Sequence, residues 1–191
     1  MEAIMKHDPY IKGEKNIDLG RRLPKLESNP NISRKRFIDI LVSMAAEDPE
    51  NTKLGSVTID GEFGREKWPV IIGFHAMKRF MERTFMTPDD VLGKVLDILS
   101  DPLIGPRVVE NQVMYDDDAN KVVSVNGDGI MATNVKFEAD GIVYVFECGM
   151  SYIRLVTVWT GYTERFVSKN SAVVNIARSG AFSYNRKGDK I

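Results

Sequence analysis

Two hydrophobic rhythms divide this chain. In its first half, apolar residues recur at helical spacing; in the second half they fall into short runs that alternate with polar positions. Phe37, Ile40, Leu41 and Met44 predict a helix over 33–47, entered through Asn31-Ile32-Ser33 and closed by Pro49. Val57-Thr58-Ile59 is a strand candidate, Gly61 and Gly64 mark a turn, and Pro69-Val70-Ile71-Ile72 is a second apolar segment. A helix over 74–85 follows, with Ala76, Met77, Phe80 and Met81 as its buried side. Thr87-Pro88-Asp89-Asp90 then signals a helix start. Thr87 can cap, Pro88 suits the first helical position, and two acids complement the helix dipole. Val91, Val95, Ile98 and Leu99 supply the apolar face of that helix, and Pro102 lies just beyond it.

After a loop containing Gly105 and Pro106, the pattern predicts strands at Val108–Tyr115, Lys121–Val125, Ile130–Ala139, Ile142–Cys148 and Tyr152–Trp159. Asp140-Gly141 between two alternating runs is a two-residue hairpin signal, and Asn126-Gly127-Asp128-Gly129 marks another turn. Residues 1–31 are polar, contain Pro9, Pro24 and Pro30, and show no sustained period, so they read as an extended arm holding at most one short ordered piece. Phe166 to Ile176 is compatible with helix or strand, and a basic tail follows. No internal repeat is present. Helices first and a meander afterwards predict an α+β fold, with helices packed on one face of a four- to five-stranded antiparallel sheet. The expected division is an N-terminal arm over 1–31, a core domain over 32–164 and a basic C-terminal segment over 165–191.

Composition narrows the picture. At 191 residues, 43% hydrophobic and 28% charged, the chain fits one globular domain. No apolar run approaches the roughly 18 residues needed to span a membrane. Met1 to His7 lacks the basic-then-apolar build of a signal peptide, and the lone Cys148 allows no internal disulfide, so a cytoplasmic protein is expected. Net charge is −1, but it is unevenly spread. Residues 1–36 carry 9 Lys/Arg against 5 Asp/Glu, and residues 165–191 carry 6 against 1. The middle, 37–164, holds 11 basic against 21 acidic residues, which opposes a general nucleic-acid-binding role outside a small basic cleft.

One segment concentrates cationic chemistry. His75, Arg79 and Arg83 follow one another at four-residue steps on the helix over 74–85, and residues four apart stand nearly above one another. The stripe sets an imidazole near the positive end of the helix and two guanidiniums behind it, an arrangement that suits a phosphodiester or similar anion. A solvated face whose arginines pair with nearby carboxylates is the plainer account of the same spacing.

The order His75-Ala76, Arg79, Arg83, then Thr87-Pro88-Asp89-Asp90-Val91, then a sheet ending in Leu155-Val156-Thr157-Val158-Trp159, resembles a small uncharacterised domain family. That family is similar to the RelE/barnase-like RNase-toxin fold. The likeness covers 74–160, less than half of the chain. It implies that His75, Arg79 and Arg83 line a common cleft with Thr157 or a neighbour on the last strand. In metal-independent RNases of this kind a base removes the ribose 2′-proton and cations stabilise the charge that develops on phosphorus. By that resemblance His75 would be the base or acid, Arg79 and Arg83 the anion clamp, and Tyr162 a second proton donor. Two features depart from the pattern: this core is acidic where toxin members are small and basic, and long segments flank it. The scaffold therefore also fits a non-catalytic binding protein, of phage or mobile-element kind, that engages a protein or nucleotide. A homo-oligomer joined through the terminal arms is a third expectation.

Other constellations add little. Asp116-Asp117-Asp118-Ala119-Asn120 begins like a calcium loop, but Lys121 stands where that loop needs Gly and Gly127 where it needs Glu, so it reads as an acidic surface turn. Cys148 with His75 is a formal nucleophile–base pair, yet a lone Cys after an apolar strand reads first as a packed side chain. Two His and one Cys do not make a structural zinc site, and neither metal nor cofactor is expected. Trp159-Thr160-Gly161-Tyr162 sets two aromatics at a strand end, either to close the core or to stack on a partner.

Overall fold

The computed structural model describes residues 19–125, 134–139 and 141–160, together with strands at 172–177 and 180–183. The described chain runs α1 (Leu19–Glu27), α2 (Arg34–Glu47), β1 (Lys53–Gly61), β2 (Gly64–Ile72), α3 (Phe74–Thr84), α4 (Pro88–Ser100) and α5 (Gly105–Val109). It continues through β3 (Val113–Asp116), β4 (Lys121–Ser124), β5 (Val135–Ala139), β6 (Ile142–Cys148), β7 (Ile153–Thr160), β8 (Ala172–Ala177) and β9 (Gly180–Ser183). The class is α+β, as the sequence predicts.

Local chemistry places the helices. Ser33 caps α2 by accepting from the Arg36 N–H at 3.1 Å. Thr87 and Asp90 close a reciprocal capping box at the start of α4, with Pro88 in its first turn. Pro106 opens the short α5, whose Val108 is fully buried; the expected strand from Val108 is therefore confined to Val113–Asp116.

The main sheet has the order β1-β2-β7-β6-β5, continued by β8 and β9. It is mostly antiparallel, but β2 with β7 and β5 with β8 run parallel, so the sheet is mixed. The long excursion between β2 and β7, which runs through α3 to α5 and then β3 to β6, makes the parallel pairing possible. β5 and β6 pair antiparallel with Ala139 opposite Ile142, as the hairpin signal predicts, and Gly141 takes a positive φ of 75°. A small separate sheet pairs β3 with β4.

Helices cover both faces. Val70 and Ile72 of β2 face a core shared with Met77 and Phe80 of α3 and Val91, Val95 and Leu99 of α4. Ile71, between them, faces a second core with Leu23 and Leu26 of α1, Phe37, Ile40 and Leu41 of α2, and Tyr152. A continuous apolar run such as 69–72 is what a strand buried on both faces requires. The second face, missed in the expectation of helices on one side only, is therefore written into β2 itself. The ordered piece expected within residues 1–31 is α1: Leu19, Leu23 and Leu26 line its inner side.

Among the described residues no helix is long and apolar enough to cross a membrane.

Candidate functional site

The α3 stripe forms, but as an open surface. His75 and Arg79 are exposed, while Ala76, Met77 and Phe80 turn into the core. Arg79 Nη1 lies 3.5 Å from Glu82 Oε2, and Lys78 lies 4.0 Å from the other oxygen of the same carboxylate. This is the solvated, internally paired face that the spacing also allows. Arg83 differs from its neighbours: it is half-buried, and its Nη1 is sealed without a hydrogen-bond partner.

Thr157 does not join that stripe. It sits on β7 opposite Val145, one residue before the buried Val158. An irregularity at Val145/Phe146 shifts the β6–β7 register, so that Leu155 and Val158 both reach the first core. Thr157 then points to the sheet face opposite α3. Tyr162 lies outside the described residues. Trp159 is half-buried, with Lys136 Nζ 5.2 Å from its ring centroid. Burial lowers the Lys136 ammonium from its ordinary value.

Cys148 is sealed in the first core and its Sγ donates to the Gly149 carbonyl at 3.2 Å. Burial pushes the thiol up, with Glu27 and Glu147 adding to the shift, so it is held away from the reactive thiolate. Asp116 Oδ1 accepts from the Ala119 N–H at 3.1 Å, which makes 116–120 the acidic surface turn the sequence suggests. Among the described residues no group of three or more His, Cys, Asp or Glu could hold a metal ion.

A cavity lies elsewhere, where α1 ends and α2 begins. Glu27 at the end of α1, Ser28 just after it, Ile32, Arg34 and Phe37 around the start of α2, and the 150–151 turn before β7 border a cavity of about 330 Å³. Met114 of β3 and Val125 after β4 complete it. Its mouth is apolar: Met114, Val125 and Met150 are 41%, 37% and 48% exposed. Three of the few large exposed hydrophobics among the described residues thus surround one opening, where isolated ones would call for no explanation.

Local structure fixes this pocket tightly. Arg21 of α1 reaches Tyr115 Oη at 3.3 Å and Asn120 Oδ1, and Tyr115 Oη also donates to that oxygen. Ser28 Oγ accepts from the Tyr115 N–H at 3.2 Å. These contacts hold α1 against the β3–β4 ribbon. On the far wall, Phe37 packs on Tyr152 with ring centroids 5.6 Å apart. Met150 N–H donates to Glu27 Oε2 at 2.9 Å, and Gly149 N–H to the Tyr152 carbonyl at 2.9 Å. Glu27 Oε1 is sealed from solvent. Burial raises the Glu27 carboxyl, opposed by hydrogen bonds from Met150 and Ser151 and, through space, by Arg34.

Behind the turn is a buried polar triad. Arg154 donates to Glu147 through Nε at 3.2 Å and Nη2 at 3.1 Å, and Tyr152 Oη donates to Glu147 Oε1 at 3.1 Å. Burial first, then Glu147, raises the Tyr152 phenol well above its ordinary value.

Glu27 and Ser28 escape the sequence pattern because residues 1–31 read as an arm. The signal that could have found them is the spacing of Leu19, Leu23 and Leu26, interrupted by Pro24. Compared with protein-family models, curated proteins and solved structures, the chain matches none of them.

Proposed function

We propose that this chain is a binding protein whose ligand site is the pocket between α1, α2 and the 149–151 turn. The observation that carries this reading is an apolar-mouthed cavity of about 330 Å³ bordered by Glu27 and Arg34. Small-ligand sites combine apolar walls with a few placed polar groups, and this cavity falls within their usual size, about 300–1,000 Å³. The acidic balance of residues 37–164 favours a small molecule or protein over RNA. A cytoplasmic setting belongs to the same reading, since Cys148 is a free thiol.

The test is chemical-shift mapping of the full chain against a mixture of small amines, carboxylic acids and neutral aromatics. Shifts gathered at Met114, Val125, Met150 and Ser151 support the reading; shifts at none of them would sink it.

A second reading keeps the α3 stripe as an anion site, with RNA cleavage as its most specific form. The sealed Nη1 of Arg83, a donor lacking an acceptor, favours it. His75, Arg79 and Arg83 would then act as the resemblance to the RelE/barnase-like fold implies. The pairing of Arg79 with Glu82 and the placement of Thr157 on the other sheet face weigh against it.

A further inference from the structure

The chemistry of the pocket narrows its ligand, on the premise that the pocket is the binding site. The side chains that a ligand could reach there offer donors. Ser28 Oγ accepts from the Tyr115 N–H at 3.2 Å, which leaves its own hydroxyl proton to give. Arg34 is exposed at the rim and forms no ion pair among the described residues. The acid on the same wall is already engaged: the Glu27 carboxylate receives the Met150 N–H at 2.9 Å and hydrogen bonds from Ser151, and its Oε1 is sealed from solvent. Arg34 is also the first residue of α2, so the positive end of that helix adds to its field. From Leu19 to Arg36 the chain holds six Lys or Arg and only one acid, Glu27, which makes this side of the pocket basic. The walls that would meet a ligand's body, Ile32, Phe37, Met114 and Met150, are apolar. Methionines and an aromatic ring accept varied apolar shapes. At roughly 30 Å³ per water-sized volume, the cavity has room for on the order of ten non-hydrogen atoms.

We propose that the pocket binds a small organic acid: a carboxylate that accepts from the Arg34 guanidinium, with the Ser28 hydroxyl as a further donor and a ring or short branched body lying against Ile32, Phe37 and the two methionines. Charge complementarity selects this occupant, because a guanidinium and a carboxylate make strong, often paired, charge-assisted hydrogen bonds. Glu27 does not exclude it, since donors from the 150–151 turn already compensate that carboxylate. An amine would meet the Arg34 charge as a like charge, and a neutral alcohol would fill the apolar walls without forming an ion pair.

The test titrates 3-phenylpropanoate into the full chain, following the amides of Ser28, Met114 and Ser151 by NMR. The neutral 2-phenylethanol and the cation phenethylammonium serve as comparisons. The expected result is a saturable shift with the acid, binding at least tenfold weaker with the alcohol, and no shift with the amine. Arg34→Gln, at an exposed position, should weaken the acid at least tenfold while leaving the alcohol unchanged. Met114→Glu, which sets a like charge at the exposed mouth, should weaken the acid similarly and guards against a local rearrangement in the first variant. If the alcohol or the amine binds at these amides as tightly as the acid, or if Arg34→Gln holds the acid as tightly as wild type does, the anion assignment is overturned and the pocket reading stands. If none of the three moves these amides, both fall.

Discussion

Glu147 and Arg154 face each other across β6 and β7, 4% and 8% exposed, joined by two hydrogen bonds of 3.2 and 3.1 Å. A guanidinium and a carboxylate removed from water this far depend on each other, because either one alone is an uncompensated buried charge. Arg154→Met should therefore destabilise the fold by about 3–5 kcal/mol. The double variant Glu147→Leu with Arg154→Met should recover part of that loss, since no charge is left buried, while the Tyr152 hydroxyl then loses its acceptor. Urea unfolding of the two variants checks this. A double variant no more stable than the single one would show that the pair contributes through its hydrogen bonds to the surroundings.

Gly149 lets the turn before β7 approach Glu27. A Cβ there would collide with the Tyr152 ring and lie 2.6 Å from Glu27 Oε2. Gly149→Ala should cost about 1–3 kcal/mol and displace the Met150 N–H from its acceptor, visible as a shift of that amide. Gly93 is the contrast. It lies on the exposed side of α4 with nothing within 4 Å of a built Cβ, so Gly93→Ala should stabilise by about 0.5–1 kcal/mol. Thermal unfolding of both variants separates a close approach from simple helix propensity.

The elements that carry strong local chemistry were legible in the sequence. The capping box at Thr87 and Asp90, the Asp140-Gly141 hairpin and the 3.6-residue pattern from Phe37 to Met44 each specify their own element. What sequence pattern could not give was pairing over distance. The parallel union of β2 with β7 and the register shift at Val145/Phe146 arise from tertiary packing, and the latter decides where Thr157 points. Of the expected cleft, the spacing of His75, Arg79 and Arg83 was readable, whereas the joining of Thr157 to it was not. The pocket residues come from α1, α2, β3, the end of β4 and a turn, and no local motif links such positions.

The elevated carboxyl of Glu27 makes a pH prediction. Its pKa lies above the ordinary 4.5 in the folded chain because burial disfavours the charged form. The native state then holds the proton more tightly than the unfolded state does. Its contribution to stability is present below the unfolded value and is lost as pH rises through the folded one. Glu27→Gln, which cannot ionise, should raise the melting temperature at neutral pH, with the gain shrinking toward pH 4. The charged groups that face this carboxylate include Arg34, so Arg34→Gln should push the Glu27 titration further upward. A gain that is constant from pH 4 to 8 would mean that Glu27 titrates alike in both states.

His75 separates the two functional readings. It lies exposed on α3, next to residues that pack the core without its help, so His75→Ala should change stability by no more than about 0.5 kcal/mol. Incubation of wild type and this variant with labelled RNA in chelator then asks one question of the stripe. With Arg79 tied to Glu82 and Thr157 on the far side of the sheet, the expected outcome is intact RNA with both proteins. Cleavage leaving a cyclic phosphate in wild type, reduced about 10²-fold or more in the variant, would instead assign proton transfer to the imidazole. Arg83→Met would then be the next variant: its sealed Nη1 has no acceptor in the described structure, so it should lose activity only if the phosphate supplies one.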